Sequence, residues 1–486
     1  MVRPPKKSGL LLSLLFLLTA PSLAGPPDWQ GTWEGEMGTG SHLFRVAFVL
    51  KEGTGEYDNI DDGIYGEAMT LEGDGRKLQG RTDGGGVLEL SKTPGQAILT
   101  GIFTQGPGAD IQRSLVLENQ GYPVTLHRGE DYLRARLGSD GGGQTPYQYA
   151  LPAVLSDGWE IGDLRKSRAD LPKVEGVVRD ILTGSFPHIH SLAVVKDGKL
   201  VLDEYFYGYG PNDLHPVQSV TKDIFSLLFG IGVGQGLVQP EQKLFDSFPE
   251  YRLKPNWEKT KDSITLESLL TMTSGLGCDD FKDSESCSWK MVASPDWLDF
   301  SLSLPQQNPP GSHFAYCGAC LTPLGVILER QSGLSLPEYA QKFLFGPLGI
   351  QETRWWDGPG DSHSPAFGLA LRPRDMAKLG YLMVKKGEWK GREVVPESWI
   401  TRSTSPFVPN TQTGKEADYG YLWWERDVTW HGKKHRSLDA WGVGGQHVFI
   451  VPDLDLVCVL TGGNYKDGNL ANNSFKIFHE VLEAFR

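Results

Sequence analysis

The chain reads as α+β, with a small all-β domain ahead of a larger mixed one. Three observations carry this reading. Short apolar runs separated by Gly- and Asp-rich turns fill residues 27–137. A Gly-rich stretch, Gly138-Ser139-Asp140-Gly141-Gly142-Gly143, then breaks the pattern like a linker. Beyond it come a hairpin, a mostly helical middle, and late strands with a closing helix, so one sheet is assembled from both ends of the domain.

In the first region Trp29 to Gly35, Leu43 to Leu50, Val87 to Leu90, Ala97 to Phe103 and Ser114 to Leu117 have strand character. Turns fall at Gly53-Thr54-Gly55, Gly73-Asp74-Gly75 and Thr82 to Gly86. This spacing predicts a small barrel or sandwich. No nucleophile–base pair lies in it. The second region opens with a helical segment near Leu164 to Thr183, then a hairpin, His190 to Val195 and Leu200 to Phe206, turned by Asp197-Gly198. Late strands are expected at Gly432 to Trp441, His447 to Val451 and Val457 to Thr461. The last helix, Ser474 to Phe485, places Phe475, Phe478, Val481, Leu482 and Phe485 at helical spacing.

Composition narrows the partners. The chain has 486 residues, 39% apolar and 22% charged, which fits two globular domains. A net charge of −13 without a basic stripe argues against nucleic acid. Arg3, Lys6 and Lys7, the apolar run Leu10 to Ala20, and Ser22-Leu23-Ala24 before Gly25 have the form of a secretory signal cut after Ala24. That run is short for a bilayer span, so no stable membrane anchor is predicted, and the expected location is periplasmic or extracellular. The expected organisation is a signal over 1–24, the β domain over 25–137, a linker over 138–154 and the second domain over 155–486. Of five cysteines, Cys278 and Cys287 can close a short loop in an oxidising compartment. Cys317 and Cys320 form a C-x-x-C, open to a metal or redox reading, but no second ligand pair completes a zinc site. Neither metal nor cofactor is expected, and an odd count leaves a thiol over.

The chemistry centres on Gln218-Ser219-Val220-Thr221-Lys222, which leads into the apolar run Ile224 to Phe229. If Ser219 opens a helix, Lys222 lies one turn on, on the same face, within reach of the hydroxyl. A lysine of depressed pKa can take a serine proton, and the helix N-terminus favours a developing oxyanion. On its own the tetrapeptide also describes an N-cap serine with a solvated lysine. Tyr316 is the second candidate, since a phenolate beside an ammonium accepts a proton. By itself this segment favours a half-buried tyrosine at a helix entrance. The third piece is Trp441-Gly442-Val443-Gly444-Gly445-Gln446-His447. A main-chain N–H there, placed at Gly445, can pair with that of Ser219 around an oxyanion, although an edge-strand glycine bulge has the same sequence.

Together these stretches resemble the serine β-lactamase and penicillin-binding-protein superfamily, in its class C-like branch with the 6-aminohexanoate-dimer hydrolases and related esterases. Further phrases in family order are Leu269 to Leu276, Phe345 to Ile350, Pro373 to Gly380 and Tyr419 to Trp424. The resemblance covers about residues 155 to 486. It implies a β-lactamase/transpeptidase-like domain, an antiparallel sheet flanked by helices beside a helical region. It also implies an acyl-enzyme on Ser219, with Lys222 and Tyr316 as acid/base and the N–H groups of Ser219 and Gly445 as oxyanion hole.

Two departures shape the substrate expectation. Gly318 stands where the family often has Asn or Ser, and Gly442 stands where penicillin-recognising members have Lys or His. A substrate carboxylate would lose a charge-assisted partner. An exported hydrolase of a small ester or amide is therefore expected over a D-Ala-D-Ala peptidase or β-lactamase. A catalytically silent binding protein on the same scaffold is the alternative from another class. Trp424 and Trp441, with Trp423, Gly442 and Gly444, are candidates for the substrate pocket, although the tryptophans suit a buried core equally well.

Overall fold

The computed structural model describes residues 147–486, apart from 256, 284–285, 466–469 and 471, and eight strands between 31 and 128. The signal, the linker up to 146 and the Ser114 to Leu117 run lie outside the described residues.

The eight N-terminal strands, from Gly31–Thr39 to Gly121–Arg128, close into one antiparallel barrel, the first pairing with the last. Alternation is the cause. Trp33, Val46, Phe48, Leu88 and Leu90 are buried, and along Val87–Lys92 the residue between the two leucines, Glu89, is exposed. Closure leaves no open edge. The barrel touches the second region through Arg45, whose guanidinium pairs with Asp213 at 3.0 Å and lies 3.8 Å from the Tyr209 ring centroid. Tyr209 in turn stacks on His190 and lies 4.9 Å from the tilted ring of His215, so the contact reaches the short strand His215–Pro216 that leads to Ser219.

The second region is built on a seven-stranded antiparallel sheet. Its spatial order is Lys199–Tyr205, Ile189–Lys196, Leu456–Gly462, Gln446–Val451, Lys433–Gly442, Trp424–Trp430 and Asp418–Tyr419. The hairpin turns on Asp197 (φ 50°) and Gly198 (φ 78°), both left-handed as its twist requires. Leu192, Val194, Cys458 and Leu460 face the helices Leu171–Leu182 and Asn473–Ala484. Their neighbours Ala193, Val195, Val457 and Val459 face the opposite way, toward the helical region. There the helix Pro373–Val384 lies on the sheet so closely that a Cβ on Gly380 would come within 2.6 Å of Val457. The result is three layers with helices on both faces.

The first helical segment is shorter than expected. Arg168, at φ 59°, separates a single turn at Leu164–Lys166 from the helix that Pro172 opens. Trp424–Trp430 forms a further strand, ahead of the late strands expected from Gly432 onward. Both disulfides form, Cys278–Cys287 and Cys317–Cys320, and Cys458 is the buried free thiol. The sulfurs of Cys278, Cys287 and Cys317 lie within 4.8 Å of one another because the two bridges pack together. Among the described residues no helix is long and apolar enough to cross a membrane.

Candidate active site

The helix Val220–Gly234 is apolar all round and buried at nearly every position, so it runs through the middle of the helical region. Ser219 caps its N-terminus without turning its side chain back onto the helix (φ −69°, ψ −9°). The residue before it, Gln218, is held at φ 52°, and its amide is tied to the Tyr465 hydroxyl at 3.1 Å. The half-buried hydroxyl of Ser219 is thereby left free to meet other groups.

Lys222 meets it. Its Nζ donates to Ser219 Oγ at 2.8 Å and to the carbonyl of Ala366 at 2.9 Å. Burial lowers its pKa to about 8, against a partial upward pull from Asp280 and Asp223. Tyr316 completes the cluster. The Lys222 ammonium lies 4.9 Å from its ring centroid, and its phenol is hydrogen-bonded to Ser219. Here the structure changes the sequence argument. Burial, with Asp223 and Asp280, pushes the Tyr316 phenol well above its ordinary value and outweighs the bond from Ser219. Burial therefore favours the neutral phenol of Tyr316 and eases loss of the proton on Lys222.

The glycine segment joins the strands Lys433–Gly442 and Gln446–Val451. A Cβ on Gly442 would come within 2.5 Å of the Val217 carbonyl, so this strand end lies directly against the backbone that delivers Ser219. A Lys or His here has no room, which is the physical reason for the departure noted above. Gly444 (φ 90°) packs on the Tyr465 ring, and Gly445 (φ 95°) gives its carbonyl to Ser474 Oγ at 3.0 Å. Gly442 thus serves close backbone approach, while Gly444 and Gly445 shape the turn. Trp424 is fully buried and backs Tyr316 at 5.9 Å between ring centroids. Trp441 is half-buried and lies 5.7 Å from Trp424. Trp423 is buried.

Sequence reasoning missed three contributors. Asp280 accepts from Ser286 Oγ, from the N–H and hydroxyl of Ser288, and from the N–H of Gly318 at 2.8 Å. Its own N–H donates to the Tyr316 carbonyl at 2.7 Å. Asp280 therefore fixes the backbone on both sides of Cys317. Gly318 was the available signal, since a Cβ there would come within 2.5 Å of Ser288 Oγ. Ala366 supplies the second acceptor for Lys222, from 144 residues away, and nothing local marks it. Phe281 stacks on Tyr316 with centroids 4.4 Å apart and planes 6° from parallel.

The chain is similar to known proteins in sequence and in fold. A family model described as Beta-lactamase matches residues 181–473. The chain is 25% identical over 311 residues to a 6-aminohexanoate-dimer hydrolase of Paenarthrobacter ureafaciens, covering 60% of this chain and 74% of that one. Among solved structures it is similar to EstCE1, a hydrolase with promiscuous acyltransferase activity, at TM-score 0.54 and 16% identity, with 64% and 98% of the two chains covered. A family VIII carboxylesterase matches at TM-score 0.53 and 15% identity, with 64% and 96% covered. These two likenesses are of fold.

Proposed function

The chain belongs to the Beta-lactamase family of serine hydrolases, and from that premise we propose that it cleaves a small ester or amide through an acyl-enzyme on Ser219. The observation that carries the reading is the 2.8 Å contact between Ser219 Oγ and a lysine whose pKa burial has brought down to about 8. In the first step Ser219 Oγ attacks the carbonyl carbon and its proton passes to neutral Lys222 Nζ. The oxyanion is met by the N–H of Ser219 at the helix terminus and by an N–H of the 443–445 turn, where Gly445 was the residue expected. Tyr316, a neutral phenol, protonates the leaving oxygen or nitrogen, and Lys222 returns the proton to it. Water then repeats the sequence on the acyl-enzyme, releasing the acid and restoring Ser219.

Esters and simple amides are favoured over β-lactams because positions 318 and 442 have no space for a polar side chain. The 6-aminohexanoate-dimer hydrolase relative makes an amide substrate reasonable for this chain too. The paired cysteines support export to an oxidising compartment, which sequencing a mature N-terminus at Gly25 would test.

The enzymatic test is hydrolysis of p-nitrophenyl esters from acetate to octanoate, with nitrocefin alongside. Ester turnover that disappears in Ser219→Ala, with nitrocefin untouched, is the expected result. Nitrocefin turnover would move the reading to a β-lactamase. A Ser219 that neither turns over an ester nor accepts a fluorophosphonate would leave a binding protein.

A further inference from the structure

The steps above give the barrel no part, yet the barrel touches the chain that delivers Ser219. Between the strand Lys199–Tyr205 and the helix Val220–Gly234 runs a connection whose one strand is two residues long, His215–Pro216, paired with Leu371 and Ala370. Side-chain contacts fix much of the rest. Asp213 Oδ2 accepts from the Gly210 N–H at 2.7 Å and from the Arg45 guanidinium of the barrel at 3.0 Å. The same guanidinium lies over the buried ring of Tyr209, 3.8 Å from its centroid.

From Tyr209 the contacts run unbroken toward the nucleophile. Its ring stacks on that of His190, with centroids 4.8 Å apart. His190 and His215 are both buried and share a hydrogen bond, Nδ1 to Nε2, at 2.8 Å. Nδ1 of His215 meets the Pro216 carbonyl at 2.9 Å. A carbonyl only accepts, so His215 carries its proton on Nδ1, and in the neutral ring Nε2 accepts from Nδ1–H of His190. Burial, with His215, His188 and Arg45, holds His190 well below its ordinary value and so favours its neutral ring. Beyond Pro216, the Val217 N–H donates to the Leu369 carbonyl at 2.9 Å, and the Val217 carbonyl packs on Gly442. A shift of Pro216 therefore moves Ser219 and disturbs the Gly442 wall together.

We infer that Arg45 is a positioning residue: through Asp213 and Tyr209 it fixes the connection that sets Ser219 Oγ against Lys222, and this gives the barrel its part in the reaction. An arginine suits the place because one planar guanidinium pairs with a carboxylate at its edge and lies on an aromatic ring with its face. A nucleophile misplaced by about 1 Å loses on the order of 10²-fold in rate. The inference rests on the reading of Ser219 as the nucleophile, but part of its test does not require turnover.

The test compares the full-length parent with Arg45→Gln, Arg45→Lys and Asp213→Asn, in p-nitrophenyl ester hydrolysis and in backbone deuterium uptake. Asp213→Asn breaks the ion pair from the far side, so it gives an answer even where a barrel substitution unfolds the barrel. Arg45→Gln and Asp213→Asn are expected to lower kcat about 10–100-fold with KM within about twofold. Both should speed uptake several-fold in peptides across 207–219 and leave the helix Pro373–Val384 unchanged. Arg45→Lys keeps the charge and should hold kcat to within about threefold of the parent. Arg45→Gln combined with Asp213→Asn should be about as slow as either alone, because both cut one path. Unchanged kcat or unchanged uptake across 207–219 in Asp213→Asn overturns the inference. So does a rise in KM with kcat intact, an Arg45→Lys no faster than Arg45→Gln, or additive losses in the double variant. A parent that hydrolyses no ester would strike the Ser219 reading, and the uptake comparison would still decide whether Arg45 fixes this segment.

Discussion

Replacing Lys222 by methionine separates what the site costs from what it does. Burial holds this lysine at about 8, against 10.5 in water. Each pH unit corresponds to about 1.4 kcal/mol, so at pH 7 the folded state carries a penalty of about 3 kcal/mol for the charged side chain. Below pH 8 both folded and unfolded lysine are protonated and the penalty is complete. Between 8 and 10.5 the folded lysine is neutral while the unfolded one still binds a proton, so stability rises with pH. Above 10.5 the penalty is gone. Methionine has similar length and no charge, but it leaves Ser219 Oγ and the Ala366 carbonyl without their donor, a loss of about 1 kcal/mol each. Lys222→Met should therefore be about 1 kcal/mol more stable than the parent at pH 7 and about 2 kcal/mol less stable near pH 10.5, while hydrolysing no ester. Urea unfolding of both proteins at intervals from pH 6.5 to 10.5, with ester turnover on the same samples, makes the comparison. A stability difference that stays constant across that range would refute the depressed lysine. Retained turnover would refute its role as proton acceptor.

Three further outcomes follow from the same geometry. Tyr316→Phe keeps the stack on Phe281 and the contact with Trp424, so stability should move little, while kcat falls about 10²–10⁴-fold for loss of the leaving-group acid. Asp280→Asn removes a charge that pulls Lys222 upward, so the alkaline-rising limb of kcat/KM, expected near pH 8 in the parent, should move to lower pH. A limb that moves upward or stays in place would contradict that assignment. Gly442→Ala puts a methyl 2.5 Å from the Val217 carbonyl and should displace the strand end from Ser219, losing most ester turnover while thermal stability falls by about 1–3 kcal/mol.

Local spacing alone determined a good part of this protein. Ser219 and Lys222 are three apart at the head of an apolar segment, and a helix can only stack them. Asp197-Gly198 permits the left-handed turn of the hairpin, and the apolar face of Asn473–Ala484 has the helical period. The order of the motifs was enough for the family and for an α+β sheet built from both ends. The barrel was legible as repeated strands, but a sandwich reads the same way, because only the pairing of the first strand, Gly31–Thr39, with the last, Gly121–Arg128, closes it.

What tertiary structure decided lies in contacts between distant segments. The pKa of Lys222 depends on burial and on the charges of Asp280 and Asp223, and the protonation of Tyr316 on burial beside the same two carboxylates. Sequence suggested a phenolate because it shows the lysine and hides the desolvation. Gly442 looked like a missing cation, and its surroundings show a backbone contact instead. Asp280 and Phe281 reach Tyr316 from a segment with no motif of its own. Sequence spacing places groups that share a helix or a turn; electrostatic environment and substrate walls arise where separate segments pack, and there the fold is needed.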